Sequence, residues 1–285
     1  MTSGPQLSLI IPAYNAGAQL AGTLAALDEF RASAPVSVEV VLVDDCSTDG
    51  ETAEALVRYA QAREWVRVLR NPVNRGKGYA VARGMIVATG AYRVFTDFDL
   101  AYPLSQTLKI LAALEAGKDV AIACRVLPES RYVMSPSFFH YLYTRHLMSR
   151  AFNAAVRVLL LRDTLDTQAG LKGFTAAAAQ AIFTRTTIAG FGFDVETLYI
   201  ARRLGLSVAQ VAVDFRYDEE PTTVHFVRDS MRMARDLVRI RWHGWTSRYL
   251  DTAGTFDLEA PDAASDGSPL TAAAAAAVDA SARAS

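Results

Sequence analysis

Short apolar runs alternate with longer segments of helical period over roughly the first 125 residues, and this alternation restricts the fold more than any other feature. The strand-like runs cover residues 7–13, 38–44, 66–71, 92–97 and 120–124. The helical segments between them cover residues 19–30, 51–63, 79–88 and 106–116. Strands that are apolar throughout, such as LSLIIPA, are typical of parallel sheets that are covered on both sides. The pattern therefore predicts an α/β fold with a mostly parallel sheet and helices on both of its faces.

The overall composition argues against several classes of protein. The chain of 285 residues has 29 Lys and Arg against 30 Asp and Glu, a formal net charge of −1, so a general nucleic-acid-binding protein is not expected. Hydrophobic residues make up 51% of the chain, which is enough for a sizeable core. The two cysteines, Cys46 and Cys124, cannot form a disulfide framework, and the four histidines are scattered. We therefore expect a reducing compartment and no zinc site.

The remaining segments give weaker predictions. No basic leader and no run of about 18 apolar residues is present, so we expect a cytoplasmic protein without a transmembrane helix. The pattern predicts a long amphipathic helix over residues 135–161 and a small mixed region with a short helix around GLKGF and GFGF. It also predicts a late strand over residues 207–217, a helix over 227–241 and a disordered Ala-rich tail over 251–285.

Two aspartates at the end of a predicted strand form the strongest candidate site. In an extended chain, Asp97 and Asp99 point to the same side, and ligands bind outside the carboxyl ends of the strands in such sheets. Two carboxylates at that edge suit a hard divalent cation, which bridges diphosphate oxygens and neutralises a departing diphosphate. The alternative is that these are loop aspartates that cap the next element.

A second acidic pair, Asp44 and Asp45, stands where the second predicted strand ends. These carboxylates could accept hydrogen bonds from a nucleobase or a ribose. The alternative is a turn followed by a helix cap, because Ser47 and Thr48 are good capping residues. Thr48 and Glu51 have the spacing of a capping box, which predicts the start of the second helix.

Glycines alternate with basic residues over residues 74–78, NRGKG, a composition that allows the backbone to approach a phosphate closely. The segment lacks the dinucleotide-binding fingerprint, because Val81 stands at the third glycine position. It also lacks the Walker A pattern, because Asn71 stands at the first glycine position. The alternative is a tight turn before a helix.

Arginines are prominent in the second half of the chain. Phosphate-binding candidates after the last predicted core strand are Arg125, Arg131, Arg145, Arg150 and Arg157. On the last predicted helix, one face carries Arg228, Arg232, Arg235 and Arg239, and the opposite face carries Phe226, Met233, Leu237 and Ile240. Trp242 and Trp245 follow. This basic amphipathic pattern is typical of helices at a membrane surface, and the alternative is an ordinary helix that packs on the core.

Six motifs occur in an order that resembles the family 2 glycosyltransferases of GT-A fold. They are IIPAYN, VLVDDCSTDG, NRGKGYAV, DFDLAYP, DTQAGLKGF and FDVETLYIA. The branch that they resemble contains dolichyl-phosphate β-glucosyltransferases and bacterial polyprenyl-phosphate glycosyltransferases. The resemblance implies one Rossmann-like GT-A domain over residues 1–250, with a nucleotide-sugar half over about 7–125 and an acceptor half over about 126–250 that ends in amphipathic interfacial helices.

The resemblance also implies roles for the matched positions. The donor would be bound by Pro12, Tyr14, Asn15, Asp44, Asp45, Lys77, Asp97, Phe98 and Asp99. Asp97 and Asp99 would hold Mg²⁺ or Mn²⁺ and, with Asp194, would form the catalytic group. Arg125, Arg131 and Arg145 would contact an acceptor phosphate, and Gln168 and Asp194 would line the sugar. A hydroxyl acceptor would need a general base, either Asp194 or Glu196, whereas a phosphate acceptor is already anionic.

The implied function is inverting, metal-dependent transfer of a hexose, glucose in the branch resembled, from a UDP-sugar to a polyprenyl phosphate. The enzyme would act in peripheral contact with the inner face of the cytoplasmic membrane, without a nucleic-acid partner. One alternative is transfer to a hydroxyl of a soluble or glycan acceptor. Another is a non-catalytic nucleotide-sugar-binding module, which the departures at Phe98 and Ala16-Gly17 motivate. A sugar-phosphate nucleotidyltransferase is disfavoured, because no Gly-rich basic loop opens the first helix.

Overall fold

A computed structural model describes residues 4–134, 153–154, 156–217 and 226–250. The strands are β1 Leu7–Ala13, β2 Val38–Asp44, β3 Val66–Arg70, β4 Tyr92–Thr96, β5 Val120–Cys124, β6 Arg131–Met134, β7 Leu171–Thr175, β8 Val208–Ala212 and β9 Asp214–Tyr217. The α-helices are α1 Leu20–Ser33, α2 Thr52–Gln61, α3 Lys77–Val87, α4 Gln106–Glu115, α5 Ala176–Phe183, α6 Phe193–Arg203 and α7 Phe226–Trp245. Short 3₁₀ turns occupy Gly17–Gln19 and Arg248–Leu250.

Seven strands form the central sheet in the order β3-β2-β1-β4-β7-β5-β8, and only β7 runs antiparallel to its neighbours. The prediction of a mostly parallel sheet is therefore confirmed. The sequence pattern did not predict β7, because its segment LKGFT is short and contains a lysine and a glycine. Gly173 lies under α4, where a Cβ atom would approach Ile110 Cγ2 to 2.4 Å.

Helices cover both faces of the sheet, as predicted. Neighbouring residues of β1 point to opposite faces, so Ile10 packs with α3, α5 and α6, whereas Ile11 packs with α1, α2 and α4. Both side chains are fully buried. The central strands are apolar on both sides because each side faces a helical layer.

Two local predictions were wrong. Asp49, not the pair Thr48 and Glu51, caps α2, because its Oδ1 accepts a hydrogen bond of 3.0 Å from the Thr52 amide. The predicted late strand is two strands: β8 pairs with β5, whereas β9 pairs with β6 in a second, two-stranded sheet. The chain changes sheets at Val213, whose amide donates to Ser130 Oγ at 3.1 Å.

The last helix forms where the pattern predicted it and continues to Trp245. Leu237 and Ile240 are buried against the core, whereas Arg235 and Arg239 are exposed. No helix within the described residues is both long and apolar enough to cross a bilayer. Most of the predicted helix over 135–161, the side chains of 226–231 and the predicted tail over 251–285 lie outside what the structure describes.

Candidate active site

The carboxyl ends of β2, β1 and β4 lie side by side, because these strands are adjacent and parallel. The loops after these strands therefore meet at one edge of the sheet, and they carry Tyr14, Asp45 and Asp97. This is the edge at which ligands bind in open α/β sheets. The structure thus brings together the residues that the sequence placed at strand ends.

Asn15 joins the loops that follow β1 and β2. Its backbone has φ +49°, its amide donates to Ser47 Oγ at 2.9 Å, and its Oδ1 accepts from the Thr48 amide at 2.8 Å. Tyr14 beside it is 50% exposed, and Pro12 is half-buried. In the described contacts Asn15 holds two loops together, and Tyr14 offers an open ring face at the sheet edge.

Asp44 is buried at the end of β2. Its Oδ2 lies 2.9 Å from Arg70 Nη1 of β3, and its Oδ1 accepts from the Ser47 amide at 2.9 Å. Protein groups therefore contact both carboxylate oxygens. The predicted contact between Asp44 and a nucleoside stays a prediction.

Asp45 shapes the basic glycine loop. Its carboxylate accepts hydrogen bonds from Asn71 Nδ2 at 2.6 Å, the Gly76 amide at 2.6 Å and the Arg75 amide at 3.0 Å. Three donors around one buried carboxylate define the path of the loop before α3. The side chain acts on the loop in this structure, and a direct contact with the donor stays a prediction.

Lys77 is the first residue of α3, and two glycines flank it. Gly76 has φ +99°, a conformation that favours glycine, and the Gly78 amide donates to the Ala189 carbonyl at 2.7 Å. The Lys77 ammonium lies 2.5 Å from Asp97 Oδ1. Burial lowers the pKa of Lys77, but the nearby carboxylates, Asp97 above all, outweigh burial and raise that pKa above its ordinary value. A lysine therefore stands charged at the sheet edge.

Asp97 has a close neighbour at each of its carboxylate oxygens. Gly170 lies against its carboxylate so closely that a Cβ atom on this glycine would be 2.2 Å from Asp97 Oδ2. On its other side is the Lys77 ammonium. Asp99, two residues on, is exposed and accepts a hydrogen bond of 3.0 Å from the Ala101 amide. The structure thus places one clamped and one exposed carboxylate at the same loop.

This donor set fits a divalent cation that the substrate helps to bind. Carboxylate oxygens suit Mg²⁺ and Mn²⁺, and Mg²⁺ is commonly held by one or two carboxylates together with substrate phosphates and water. No group of three or more His, Cys, Asp or Glu side chains placed to hold a metal occurs within the described residues. Asp97 and Asp99 therefore fit a site that a diphosphate completes, rather than a site built from protein ligands alone.

Phe98 stands between the two aspartates in the sequence. Its side chain is 7% exposed and belongs to the apolar layer that contains α1. The Phe98 carbonyl accepts a hydrogen bond of 2.8 Å from Thr23 Oγ1 of α1. The side chain therefore anchors the DFD segment to the core, and a contact between Phe98 and the donor stays a prediction.

Asp194 lies in the first turn of α6, and its partner is a residue that the sequence analysis did not single out. Lys172 of β7 is fully buried, and its ammonium donates to Asp194 Oδ1 and, at 2.6 Å, to the Ala169 carbonyl. Burial lowers the pKa of Lys172, although Asp194 opposes that effect. The available signal was a lysine in the otherwise apolar segment GLKGF.

Glu196 is not placed to act as a base. It is fully buried, and its carboxylate accepts hydrogen bonds from the Thr187 amide and hydroxyl, the Ile188 amide and the Tyr249 hydroxyl. Burial raises the pKa of Glu196, while these hydrogen bonds oppose the increase. The contacts tie α6 to the loop before it and to the 3₁₀ turn after α7, so the role of Glu196 is structural.

The predicted phosphate-binding arginines differ in their surroundings. The Arg125 guanidinium donates two hydrogen bonds to the buried Asp166 carboxylate, at 2.7 and 2.9 Å. Burial raises the pKa of Asp166, but the contacts with Arg125 outweigh burial and hold that pKa below its ordinary value. Arg131 is exposed at the start of β6, and Gln168 is half-buried. Arg145 and Arg150 lie outside the described residues.

The two-stranded sheet that carries Arg131 contacts the loop that follows Asp99. The Arg216 amide of β9 donates to the Ala101 carbonyl at 2.7 Å. The Phe215 ring lies between Tyr102 of that loop and Tyr132 of β6, with ring centroids 6.1 and 5.9 Å apart. Arg131 is therefore held on an element that is packed directly against the acidic loop.

Several known proteins with similar sequences are described as dolichyl-phosphate beta-glucosyltransferases. A dolichyl-phosphate beta-glucosyltransferase from Drosophila melanogaster is 35% identical over 247 residues, which cover 82% of this chain and 74% of that protein. The protein of the same description from Dictyostelium discoideum is 32% identical over 249 residues, with 83% and 74% covered.

Solved structures support the fold. Glucosyl-3-phosphoglycerate synthase from Mycobacterium tuberculosis in complex with Mn²⁺, UDP and glucosyl-3-phosphoglycerate has a TM-score of 0.55 at 20% identity, over 86% of this chain and 80% of that chain. Mannosyl-3-phosphoglycerate synthase from Rubrobacter xylanophilus has a TM-score of 0.61 at 18% identity, over 86% and 76%. These likenesses confirm the predicted GT-A fold.

Residues 8–165 match the family described as Glycosyl transferase family 2, which is more than half of the chain. That match and the curated relatives above confirm the family that the six ordered motifs resembled. The chain therefore belongs to glycosyl transferase family 2 and is a glycosyltransferase of that family.

Proposed function

We propose that this enzyme transfers glucose, with inversion, from UDP-glucose to a polyprenyl phosphate. The observation that carries the proposal is the group of Asp97, Asp99 and Lys77 at the ligand-binding edge of the sheet. The curated relatives are dolichyl-phosphate beta-glucosyltransferases, which supports the sugar and the class of acceptor.

In this proposal Asp97 and Asp99 hold Mg²⁺ or Mn²⁺ together with the donor diphosphate. The metal would neutralise the negative charge that develops on the departing diphosphate. Lys77 adds a second positive charge at the same place and is held there by Asp97 at 2.5 Å. A structurally similar synthase was crystallised with Mn²⁺ and UDP, which supports this assignment.

The reaction needs one bond to form and one to break. An oxygen of the acceptor phosphate bonds to the anomeric carbon from the face opposite the donor diphosphate. The bond between that carbon and the diphosphate oxygen breaks, and its electron pair leaves with UDP. Because the acceptor oxygen is already anionic, the protein has to position it rather than deprotonate it.

The surroundings of Asp194 favour a phosphate acceptor over a hydroxyl. A general base needs a carboxylate that is available to take a proton, and the buried Lys172 ammonium already occupies Asp194 Oδ1. Arg131, which is exposed beside the acidic loop, is suited to hold a phosphate through charge-assisted hydrogen bonds. Arg125 contributes less in this view, since Asp166 engages it.

Contact with the cytoplasmic face of a membrane completes the proposal, because the acceptor is a lipid. Apolar groups are exposed on and after α7: Val238, Trp242, which is 58% exposed, Trp245, which is 79% exposed, and Leu250. Exposed arginines in the same segment are Arg235, Arg239, Arg241 and Arg248. At about 1 kcal/mol for each arginine near an anionic surface, these four contribute about 4 kcal/mol, and inserted tryptophans would add to that attachment.

Transfer itself is tested with labelled UDP-glucose, polyprenyl phosphate and Mn²⁺. We expect label to enter the organic phase, and EDTA or the substitution Asp99→Asn to abolish the transfer. Absence of organic-soluble label with UDP-glucose and with other nucleotide sugars would contradict the proposal. A parallel reaction with 3-phosphoglycerate tests the soluble-acceptor alternative, because its glucosylated product stays in the aqueous phase.

The acceptor class is tested by two substitutions. We expect Asp194→Asn to retain transfer within about tenfold of the unmodified enzyme, because no proton has to be removed. We expect Arg131→Ala to lower kcat/KM by about 100-fold, because it removes a charge-assisted contact that aligns the acceptor. The reverse order of these effects would indicate a hydroxyl acceptor.

Membrane contact is tested by co-sedimentation with vesicles of phosphatidylcholine and phosphatidylglycerol. The double variant Trp242→Ser with Trp245→Ser should sediment with the vesicles much less than the unmodified protein. The control Val208→Ser, which changes an exposed residue of β8, should sediment as the unmodified protein does. Equal sedimentation of the two variants would exclude α7 as the attachment surface.

A further inference from the structure

Lys172 is a lysine that folding alone does not explain. Its side chain has no exposed surface, and it lies on the central strand β7, opposite Phe95 in the β4 register. Burial of an ammonium group is costly, and buried ion pairs are often replaced by apolar residues without loss of stability. The charge at this position therefore calls for a reason beyond packing.

The contacts of Lys172 converge on the segment that bears on Asp97. One partner is the Ala169 carbonyl at 2.6 Å, and the other is Asp194 at the start of α6. The residue after Ala169 is Gly170, where a Cβ atom would lie 2.2 Å from Asp97 Oδ2. The Lys172 ammonium also lies 5.5 Å from the centre of the Phe95 ring, two residues before Asp97 on β4. One buried cation thus joins β7, α6 and the turn behind Asp97.

We propose that Lys172 is a positioning residue for the reaction: through the Ala169 carbonyl it fixes the turn that clamps the Asp97 carboxylate. With this anchor in place, Asp97 is held between Gly170 on one side and Lys77 on the other. Without it, the turn loses a hydrogen bond at the residue that precedes the clamp. The consequence is a misplaced carboxylate, and hence weaker binding of the divalent cation with UDP and slower transfer. The inference rests on the proposed function, because it assigns Asp97 to the metal and the diphosphate.

The test removes the charge of Lys172 without leaving a buried charge unpaired. Asp194→Asn serves as the matched control, and the double substitution Lys172→Met with Asp194→Asn is compared with it. The double variant keeps the volume of the site and leaves no buried charge unpaired, whereas Asp194→Asn alone leaves the Lys172 ammonium buried without its carboxylate and should be the less stable of the two. Both variants are therefore compared at a temperature at which circular dichroism shows each of them to be folded. They differ only at residue 172, and hence in one buried charge and in the group that holds the Ala169 carbonyl.

Two measurements decide the outcome. Relative to Asp194→Asn, we expect the double variant to bind Mn²⁺ in the presence of UDP about tenfold more weakly, measured by electron paramagnetic resonance of free Mn²⁺, and to lower kcat by about 100-fold. Equal Mn²⁺ affinity and equal kcat in the two variants would overturn the assignment.

The inference and the proposed function can fail separately. The Mn²⁺ measurement uses only the protein, the cation and UDP, so it reports on Lys172 even if polyprenyl phosphate proves not to be the acceptor. If the double variant does not fold, Gly170→Ala tests the same clamp from its other member. An unchanged Mn²⁺ affinity in Gly170→Ala would then overturn the assignment.

Discussion

Adding one methyl group at Gly170 should disable the site while leaving the fold intact. The Cβ atom of an alanine there would lie 2.2 Å from Asp97 Oδ2, whereas Cβ atoms do not approach other heavy atoms more closely than 3.0 Å. The carboxylate or the turn must therefore move by about 0.8 Å, and a misplacement of that size lowers catalytic rates by about 100-fold, or about 2.7 kcal/mol in activation free energy. A rotation of Asp97 that relieved this contact would also disturb the ion pair between its Oδ1 and the Lys77 ammonium.

The assay measures UDP release and organic-soluble product in the presence of Mn²⁺, together with thermal unfolding. Gly22→Ala is the matched control, because this exposed glycine of α1 has no heavy atom near the position of the new methyl group. The control should keep full activity and should stabilise the helix by about 0.5–1 kcal/mol. A Gly170→Ala enzyme that retains activity within about threefold of the unmodified enzyme would refute the claim that this contact positions Asp97.

Two further substitutions test buried charges. Arg125→Met should lower the free energy of unfolding by about 3–5 kcal/mol at neutral pH, whereas Arg58→Met in an exposed ion pair should lower it by at most about 1 kcal/mol. Arg125 holds the pKa of Asp166 below its ordinary 3.8, so this stabilisation is present above that pH and is lost as the pH falls through the pKa of the folded state. Urea titrations should therefore show that the difference in free energy of unfolding between Arg125→Met and the unmodified protein becomes smaller below about pH 4. A difference that does not change with pH would contradict this reasoning. Glu196→Gln places an amide among four hydrogen-bond donors and should lower the free energy of unfolding, measured by thermal unfolding, by about 1–3 kcal/mol. The exposed control Glu64→Gln should lower it by about 0.5 kcal/mol or less, and equal effects of the two substitutions would show that the Glu196 contacts are not stabilising.

The strands that the sequence predicted best are those that helices cover on both faces of the sheet. The bounds of β1, β2 and β5 agree with the predicted runs to the residue. Burial on both faces makes such strands apolar throughout, and this signal is local to the segment. β7 carries no such signal, because a glycine fits under α4 and a lysine serves the site, and both reasons depend on elements distant in sequence.

The candidate site was predicted to the extent that strand ends define it. Asp97, Asp99 and Lys77 could be selected because parallel strands deliver their following loops to one edge. Lys172 could not be selected, because its role depends on a contact with Asp194, a residue of another element. Phe98 follows the end of β4 in a turn, so the alternation of strand side chains could not predict that it packs into the core.

The two acidic pairs show why residue type alone does not identify a site. Asp44 and Asp45 both follow a buried strand, yet the protein supplies their partners, with Arg70 on the first carboxylate and three donors on the second. Asp45 shapes the loop that presents Lys77, whereas Asp44 joins the loop after β2 to Arg70 of β3. Asp97, by contrast, is paired with the Lys77 side chain and lies next to the exposed Asp99. A carboxylate beside an ammonium group that can also bind a phosphate is suited to a site that exchanges ligands during a reaction, whereas one held by backbone amides is suited to hold shape.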